Sequence, residues 1–477
     1  MDKSRDSGSC NVPDGTSSVD FFSCISQEGS KKLRYQAGII QSSLPESEEY
    51  FLRPPPGCPR SKPGQYWCLL RSLYGLKRAP QLWYNMLSTH LRSMGLKQCA
   101  HSPCLFTGVL IPGEPPIFVG IYVDDIIYFS VGDATEKKFE EDLSTLGSID
   151  FMGQVSLFLG TEFTWTHHAD GHLSVTLTQQ SFIETLLESL KIEATTTSTF
   201  TTPYRSGHPI DSIPLLDMSS GARDALRLRY QSLIGSLNWL AHTTRPDLAT
   251  VVSLLAQHQS NPSPGHYDAA LYVSHYLAHT KSLGIEFSSH HRAKLASFLH
   301  FPIPSSILSM SDANWGPQDA SLSHSSNDLP LFVSRSMYAF YIDFLGPIHW
   351  VSKRQKVTAA SSAEAEIYAT DECCKFLLDL AQLLDFFGVK HIFMPSPTII
   401  YNDNKACIQW SNKAATKGLR HIQMRENRVR ENIVSNFISV CHVGGKTNIA
   451  DIFTKEMKDT SHFVELRDLF MCSRPGG

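Results

Sequence analysis

Two apolar runs that flank a short acidic segment are the clearest pattern in the chain. Residues 117–121 and 126–129 are rich in β-branched and aromatic side chains and predict two β-strands. Between them, Tyr122-Val-Asp-Asp125 places two adjacent carboxylates at or near the tip of a hairpin. Burying two acids in an apolar sheet is unfavourable unless a divalent cation neutralises them. A turn with two solvated aspartates would have the same sequence, so this tetrapeptide alone leaves both interpretations open.

Helical periodicity surrounds this hairpin and recurs later in the chain. A helix is predicted from about Pro80 to Gly95, with an apolar face formed by Leu82, Met86, Leu87, Leu91 and Met94. A helix at 134–146 and strands near 157–160 and 173–177 complete an α+β unit, which ends in the Thr-rich segment 194–203. Residues 225–285 have the spacing of packed helices, and a new α/β unit begins near residue 305.

The last unit carries four acids at the ends or starts of predicted elements. Asp312 ends a strand, Glu366 lies early in a helix that opens with the capping-box pattern Ser361-Ser-Ala-Glu364, and Asp403 ends another strand. Asp451 is expected at the start of a short terminal helix. Further strands are predicted near 331–342 and 347–352. Phosphodiester hydrolysis by two cations requires several carboxylates around them, so such a set is compatible with a metal site of that kind. Any one of these acids alone could equally be a helix cap or a surface charge.

Composition describes a globular chain with no obvious targeting segment. Of the 477 residues, 42% are hydrophobic and 18% are charged, which is enough for about two to four domains. No run approaches the roughly 20 apolar residues of a membrane span, and the first residues contain no apolar signal region. The 11 cysteines show no C-x-x-C spacing, so we expect reduced thiols of an intracellular protein and no zinc site.

The net charge of −4 does not indicate a general nucleic-acid binder, but basic side chains are clustered near the end of the chain. This cluster comprises Lys413, Lys417, Arg420, His421, Arg425, Arg428 and Arg430. A solvated helical face would look the same, because Glu426 and Glu431 are interleaved. A local basic patch can still contact phosphates in a chain that is acidic overall.

Several longer stretches resemble one family. From about residue 38 to the end, the chain is similar to the C-terminal part of copia-type LTR retrotransposon Pol polyproteins. The matching stretches are Ser72-Leu-Tyr-Gly-Leu-Lys-Arg-Ala-Pro80 with Trp83-Tyr84, Tyr122-Val-Asp-Asp125, Phe158-Leu-Gly160, Leu177-Thr-Gln179, Thr244-Arg-Pro-Asp247, Trp350-Val-Ser-Lys-Arg-Gln355, Ser361-Ser-Ala-Glu-Ala-Glu366, Asp403-Asn404, His421-Ile422 and Ala450-Asp-Ile-Phe-Thr-Lys455.

The resemblance implies an α+β and α/β multidomain fold. It predicts a truncated reverse transcriptase palm (31–200), a helical thumb or connection (201–300) and a ribonuclease H-like domain (301–477). The Ser/Gly/Asp-rich composition of residues 1–30 and their lack of periodicity predict a disordered segment before these domains. It also implies the activities of that family, which are RNA-directed DNA polymerisation and hydrolysis of RNA in RNA–DNA hybrids. An intracellular location, cytoplasmic in a virus-like particle or nuclear, follows from the same resemblance.

Individual roles carry over to matching positions. Asp124 and Asp125 become acids of the polymerase metal site, and Asp312, Glu366, Asp403 and Asp451 those of the ribonuclease. Mg²⁺ or Mn²⁺ is the implied cofactor. The implied nucleotide and nucleic-acid contacts are Gly75, Lys77, Pro80, Tyr122, Lys413, Lys417, Arg420 and Arg425. RNA template, RNA–DNA hybrid, DNA primer and deoxynucleoside triphosphates are the implied partners.

The chain departs from the family pattern at one position that matters for metal binding. The first catalytic Asp of the polymerase falls on Arg34, and the nearest upstream acids are Glu28 and Asp20. A cationic side chain opposes a Mg²⁺ site. Two hypotheses follow: a reverse transcriptase–ribonuclease H fragment whose polymerase is impaired, or a non-catalytic remnant that at most binds nucleic acid.

Overall fold

A computed structural model describes residues 30–35, 38, 42–45, 49–58, 62, 64–193, 200–303, 306–316, 335–412 and 423–473, without side chains at 423–426. It divides into two compact units. The first contains residues up to Val155 together with Leu383–Val389, and the second contains Ser156–Gln382 and the chain from Lys390 onward. The segment predicted to be disordered, 1–30, lies outside the described residues except for Ser30.

The first unit is built on a six-stranded sheet in the order β4-β5-β6-β7-β1-β8. A separate two-stranded ribbon, β2-β3, and two helices complete it. The elements are β1 (Lys31–Tyr35), β2 (Phe51–Leu52), β3 (Trp67–Cys68), α1 (Ala79–Ser93), β4 (Lys97–Gln98), β5 (Leu105–Gly108), β6 (Ile117–Tyr122), β7 (Asp125–Ser130), α2 (Asp133–Ser144) and β8 (Ile149–Gln154).

Helix α1 confirms the predicted helix and shifts its buried face by about one residue. Trp83, Leu87 and Leu91 are buried at i, i+4 spacing, whereas Leu82, Met86 and Met94 lie half-buried at the edge. Pro80 lies in the first turn, and Gly95 follows the helix with φ 92°. The buried stripe packs against the sheet, where Leu33, Phe106, Ile117 and Ile126 share its core.

The second unit contains two five-stranded sheets joined by helices. The first has the order β18-β12-β11-β10-β9, and the second has the order β15-β14-β13-β16-β17. The strands are β9 (Leu157–Phe158), β10 (Thr161–His167), β11 (Leu173–Thr178), β12 (Leu283–Ser288), β13 (Leu308–Asn314), β14 (Met337–Asp343), β15 (Pro347–Arg354), β16 (Thr398–Asn402), β17 (Ile438–His442) and β18 (Met471–Ser473).

The helices of this unit lie between and after those strands. They are α3 (Gln180–Leu190), α4 (Ser220–Thr243), α5 (Ala249–Ala256), α6 (Pro264–His279), α7 (His291–Leu299), α8 (Ser362–Phe386), α9 (Lys390–Phe393), α10 (Lys405–Ser411), α11 (Gln423–Val434) and α12 (Thr460–Phe470). The expected helices over 225–285 are therefore present. The order of three strands, a helix and two further helix-separated strands is also present, so the expected mixed fold with a ribonuclease H-like part is confirmed.

One hydrophobic core runs through the whole second unit. Buried side chains from Ile183 to Met471 belong to it. The last strand, β18, pairs with β12 and so joins the sheet that precedes residue 300, not the sheet of the later strands β13–β17. The packing therefore divides the chain after Val155, whereas the sequence placed domain limits at 200 and 300. Those limits stay predictions about function, and a fragment cut at residue 300 would separate strands that pair.

Two local expectations in the C-terminal part are wrong. Asp451 lies in a 3₁₀ turn, Ile449–Phe453, and not at the start of the terminal helix, because the Asn448 side chain accepts a hydrogen bond from the Ala450 N–H and caps a separate short turn. Asp312 does not end its strand. Strand β13 continues to Asn314, which pairs with Met337 of β14.

The Thr244-Arg-Pro-Asp247 segment contains a buried ion pair that stabilises the second unit. The Arg245 guanidinium donates to both Asp247 carboxylate oxygens, at 2.9 and 2.7 Å, and both side chains are completely buried. Arg245 also donates to the Thr280 carbonyl at 3.0 Å, and the Tyr276 hydroxyl donates to Asp247 at 2.8 Å. Such a network satisfies a buried charge that would otherwise be strongly unfavourable.

Removing one partner of this pair should therefore destabilise the second unit. We expect Asp247→Ala to lower its free energy of unfolding by about 3–5 kcal/mol, because Arg245 would be left as an uncompensated buried charge. Urea denaturation of the full chain measures this. The matched control is Asp224→Ala, which removes an exposed ion pair to Arg227 on α4 and should change stability by less than about 0.5 kcal/mol. Equal losses in the two variants would contradict the assignment.

Candidate functional site

The paired aspartates lie at a hairpin tip, as the sequence predicts. Tyr122 of β6 is in register with Asp125 of β7, which leaves Val123 and Asp124 as the two-residue turn. Val123 has φ 52°, the left-handed region that a β-branched residue rarely adopts. The turn therefore needs support from its surroundings.

That support comes from α1 and the end of β1. The Trp83 indole donates to the Val123 carbonyl at 2.7 Å, and the Tyr35 N–H donates to the Asp124 carbonyl at 3.0 Å. The two aromatic rings pack edge to face, with centroids 5.0 Å apart. A Cβ on Gly38 would lie 2.7 Å from both Trp83 and the Asp124 carboxylate, so a glycine is required there.

Arg34 lies beside the second aspartate. Strand β1 runs between β7 and β8, and its Arg34 is in register with Asp125 on one side and Asp150 on the other. The guanidinium donates to the two Asp125 oxygens at 2.6 and 3.1 Å, and the Lys32 ammonium is 3.5 Å from the same carboxylate. Burial would raise the pKa of Asp125, but the hydrogen bond from Arg34 and the charges of Lys32 and Arg34 outweigh it and lower that pKa.

The hairpin site does not fit a pair of divalent cations. Two cationic side chains already neutralise Asp125, and the Tyr74 hydroxyl donates to Asp124 at 3.2 Å. Arg34, Tyr74 and both aspartates line an open cavity of about 390 Å³ together with Asp150. A further dication would be repelled by Arg34 and Lys32, so the donor set favours a closed ion-pair network.

The predicted nucleotide contacts lie on the same unit. Gly75 is in a turn with φ 97°, Lys77 is exposed just before α1, and Pro80 is exposed in its first turn. Tyr122 is 55% exposed beside the aspartates. Their roles stay predictions. Sequence reasoning did not single out Tyr74 or Asp150, although Tyr74 lies within a stretch already recognised as similar.

The structure brings together the four acids of the second unit. Asp312 of β13, Glu366 of α8 and Asp403 just after β16 each offer a carboxylate oxygen, and these atoms lie within 4.8 Å of one another. Asp451 is adjacent to Asp312, with the Lys455 ammonium 2.7 Å from its carboxylate. Parallel pairing of β13 and β16 places Asp312 and Asp403 at the same edge of the sheet.

Neighbouring polar side chains fix the orientation of these acids. The Asn402 amide donates to Glu366 at 2.9 Å and to the Ser311 hydroxyl at 3.1 Å, while its oxygen accepts from the Asn404 N–H. The Thr454 hydroxyl donates to Asp312. Sequence reasoning missed these residues, although each is adjacent in sequence to, or a few residues from, a predicted acid. Like the outer ligands of metal sites, they hold a carboxylate in one rotamer.

Three of the four acids are buried, so the cluster is less accessible to solvent than acids in an open cleft would be. Asp312, Glu366 and Asp451 are 4–7% exposed, and Asp403 is half-buried. Burial raises the pKa of Asp312 to about 7, with a further rise from the Asp451 charge. Burial followed by the Asp312 charge also raises the pKa values of Glu366 and Asp403. Mutual repulsion of this kind is relieved when cations bind.

This second cluster fits divalent cations. Its donors are carboxylate oxygens, which Mg²⁺ and Mn²⁺ prefer. Among the described residues, Lys455 forms an ion pair with this cluster through Asp451. The Lys455 side chain is 43% exposed, so it can move away when a cation binds. Of the predicted basic contacts, Lys413, Lys417 and Arg420 lie outside the described residues, and only the backbone of Arg425 is described.

Comparison with known proteins identifies one family model and several relatives that resemble this chain. Residues 33–206 match the family model described as "Reverse transcriptase (RNA-dependent DNA polymerase)". The chain is 29% identical over 429 residues to the Retrovirus-related Pol polyprotein from transposon RE2 of Arabidopsis thaliana, and 26% identical over 411 residues to that from transposon TNT 1-94 of Nicotiana tabacum. Residues 33–206 are therefore similar to reverse transcriptase domains, and the relatives that match most of the chain are retrotransposon Pol polyproteins. The matches cover 90% and 86% of this chain but only 26% and 28% of those polyproteins.

Two solved structures that align with this chain are complexes with an RNA/DNA hybrid. The foamy viral protease–reverse transcriptase in complex with RNA/DNA hybrid aligns with a TM-score of 0.40 and 12% identity, over 88% of this chain and 45% of that one. LC11-RNase H1 in complex with RNA/DNA hybrid aligns with a TM-score of 0.22 and 14% identity, over 32% of this chain and 98% of that one. At these TM-scores the structural likeness carries no argument. The assignment of the two sites in this chain therefore rests on the contacts described above.

No helix among the described residues is both long and apolar enough to cross a membrane.

Replacing Arg34 should change metal binding at the hairpin. We expect Arg34→Asp to add about one Mn²⁺ equivalent to the full chain in isothermal titration, because it replaces the repelling cation with a third carboxylate beside Asp124 and Asp125. The matched control Arg34→Asn removes the charge without adding a ligand and should add none. If Asp124→Asn bound fewer Mn²⁺ ions than the parent chain, the parent hairpin would already bind metal, and this interpretation would be wrong.

Proposed function

We propose that the four-acid cluster hydrolyses the RNA strand of RNA–DNA hybrids and that the hairpin site is impaired as a polymerase. The observation that carries the first part is the convergence of Asp312, Glu366 and Asp403 within 4.8 Å, with Asp451 beside them. A lone aspartate at a strand end has many structural explanations. The convergence of three buried acids and one half-buried acid, each from a different element, is not explained in that way.

In this proposal the four acids bind the metal ions, and neighbouring polar side chains orient the acids. Two bound Mg²⁺ or Mn²⁺ ions would activate a water and stabilise the leaving oxygen. Asp312, Glu366, Asp403 and Asp451 would hold these ions as carboxylate ligands. Asn402 fixes one Glu366 oxygen, and Thr454 fixes one Asp312 oxygen, so the ligands are arranged before substrate arrives.

Nucleic acid is the partner class that this chemistry requires. The RNA strand of a hybrid would be recognised by its 2′-hydroxyls and minor-groove shape rather than by sequence. Lys413, Lys417, Arg420 and Arg425 stay the proposed phosphate contacts, and they would make binding weaken with salt. RNA template, DNA primer and deoxynucleoside triphosphates stay proposed partners of the first unit. Intracellular location, in cytoplasm or nucleus, also stays a prediction.

The ion pair between Arg34 and Asp125 supports the impaired polymerase. A polymerase site needs its acids as cation ligands at the primer terminus. Here one of the two hairpin acids is engaged by a bidentate guanidinium at 2.6 and 3.1 Å. The alternative, a remnant with no catalysis at either site, is favoured by the same contact but opposed by the intact second cluster.

Hybrid cleavage by the full chain tests the proposal. We expect Mg²⁺- or Mn²⁺-dependent cleavage of a labelled RNA–DNA hybrid, reduced at least about 100-fold in Glu366→Gln because one carboxylate ligand is lost. The matched control is Asp379→Asn, an exposed acid on the same helix α8, which should cleave like the parent. Primer extension by the same preparation should be weak or absent.

Three results would overturn parts of this proposal. Equal cleavage by parent and Glu366→Gln would remove the assigned cluster from catalysis. A folded, Mn²⁺-loaded parent that cleaves no hybrid would leave only the remnant interpretation. Strong primer extension that disappears in Asp124→Asn would show that the hairpin site works despite Arg34.

A further inference from the structure

A cluster of histidines and one aspartate lies on the second unit, at the end of the sheet that contains β10, β11 and β12. His168, Asp170 and His172 belong to the turn between β10 and β11, and His290 follows β12. The turn is closed by backbone hydrogen bonds from His168 to His172 and from Gly171 to His168. Gly171 has φ 88°, which lets the chain reverse within this short distance.

Sheet register brings His290 to this turn. Ser174 at the start of β11 is paired with Ser288 at the end of β12, so the residues that precede Ser174 and follow Ser288 meet at one edge. The His290 N–H is held by the Ser288 hydroxyl at 3.2 Å. The approach of the two segments is therefore built into the strand pairing.

The side chains of this cluster converge on one point. Asp170, His172 and His290 each offer one ligand atom, and these atoms lie within 4.8 Å of one another. One Asp170 oxygen is hydrogen-bonded to His172, and the other lies 3.4 Å from His290 Nε2. The His172 ring is stacked between those of His168 and His290, with centroids 3.9 and 3.7 Å away. The His168 Nε2 contacts the Ser174 hydroxyl at 2.8 Å, which fixes the outer ring of the stack.

We propose that Asp170, His172 and His290 form a binding site for a divalent transition-metal ion of the Zn²⁺ type. Two imidazoles and one carboxylate are a donor set that zinc accepts, and the remaining position would be open to water. Tetrahedral bonds of about 2.0–2.2 Å place ligand atoms roughly 3.3–3.5 Å apart. Donor atoms that now lie up to 4.8 Å apart would therefore close by roughly 1.5 Å at most. Asp170 and His290 are more than half exposed, so their side chains can make this adjustment.

This site is distinct in chemistry from the four-acid cluster. Imidazole nitrogens select zinc and its neighbours, whereas an all-carboxylate set suits Mg²⁺ and Mn²⁺. The absence of paired cysteines argued against zinc from the sequence alone. The two histidine ligands, His172 and His290, are 118 positions apart in the sequence, and the register of β11 and β12 brings them together. A bound ion would join the β10–β11 turn to the segment after β12 and stabilise this sheet.

Zinc titration of the full chain tests the proposal. After treatment with a chelator, isothermal titration with Zn²⁺ in excess Mg²⁺ should show about one tight site, since Mg²⁺ competes only for the carboxylates. Zinc should also raise the unfolding temperature by roughly 2–4 °C. Asp170→Asn and His290→Gln should each weaken zinc binding at least about 10-fold and remove the temperature shift.

The control is His208→Gln, which changes an exposed histidine elsewhere in the same unit and should bind zinc like the parent. Asp403→Asn should also keep the site, because it alters only the four-acid cluster. Far-ultraviolet circular dichroism checks that each variant is folded, and cobalt gives a second readout through its visible absorption band. No zinc bound by the parent, or equal zinc affinity in parent and His290→Gln, would overturn the proposal.

Discussion

The unfavourable free energy of carboxylates packed against one another is the constraint on which both candidate sites depend. Each cluster needs opposite charge, and the chain supplies it in two different ways. At the hairpin, Arg34 and Lys32 on the neighbouring strand neutralise Asp125. In the second unit, three acids converge, and a fourth lies beside them with Lys455 as its partner. Burial and mutual charge raise the pKa of each of these acids, so bound cations would stabilise the cluster that the protein itself leaves under-neutralised.

The two sheets create these opposite outcomes by register alone. In the first unit β1 lies between β7 and β8, so whichever residue occupies position 34 faces Asp125. In the second, the parallel β13 and β16 bring Asp312 and Asp403 to one edge, and Asn402 links that edge to Glu366 on α8. We therefore expect the residue at position 34, with the neighbouring Lys32, to determine whether the hairpin binds metal or forms an ion-pair network.

The sequence predicts the parts of this structure that depend on local pattern. Two apolar runs rich in β-branched and aromatic residues located β6 and β7, and Tyr122-Val-Asp-Asp125 was correctly placed at their turn. Contacts between different elements were harder to predict from the sequence. The buried stripe of α1 includes Trp83, whose indole donates a hydrogen bond to the Val123 carbonyl, and helical periodicity does not predict that bond. The pairing of β18 with β12 joins segments far apart in sequence, so the packing boundary after Val155 could not be read from composition. Asp451 was assigned to a helix because the cap by Asn448 was not recognised.

The most direct test of the account is where Mn²⁺ binds in a crystal of the full chain, located by its anomalous scattering. The account predicts peaks among Asp312, Glu366, Asp403 and Asp451, with Lys455 displaced from Asp451. It predicts none between Asp124 and Asp125, where Arg34 should keep its two hydrogen bonds. A manganese peak at the hairpin with Arg34 turned away, or an empty four-acid cluster at saturating Mn²⁺, would contradict the claim that the four-acid cluster, and not the hairpin, is built to bind Mg²⁺ or Mn²⁺.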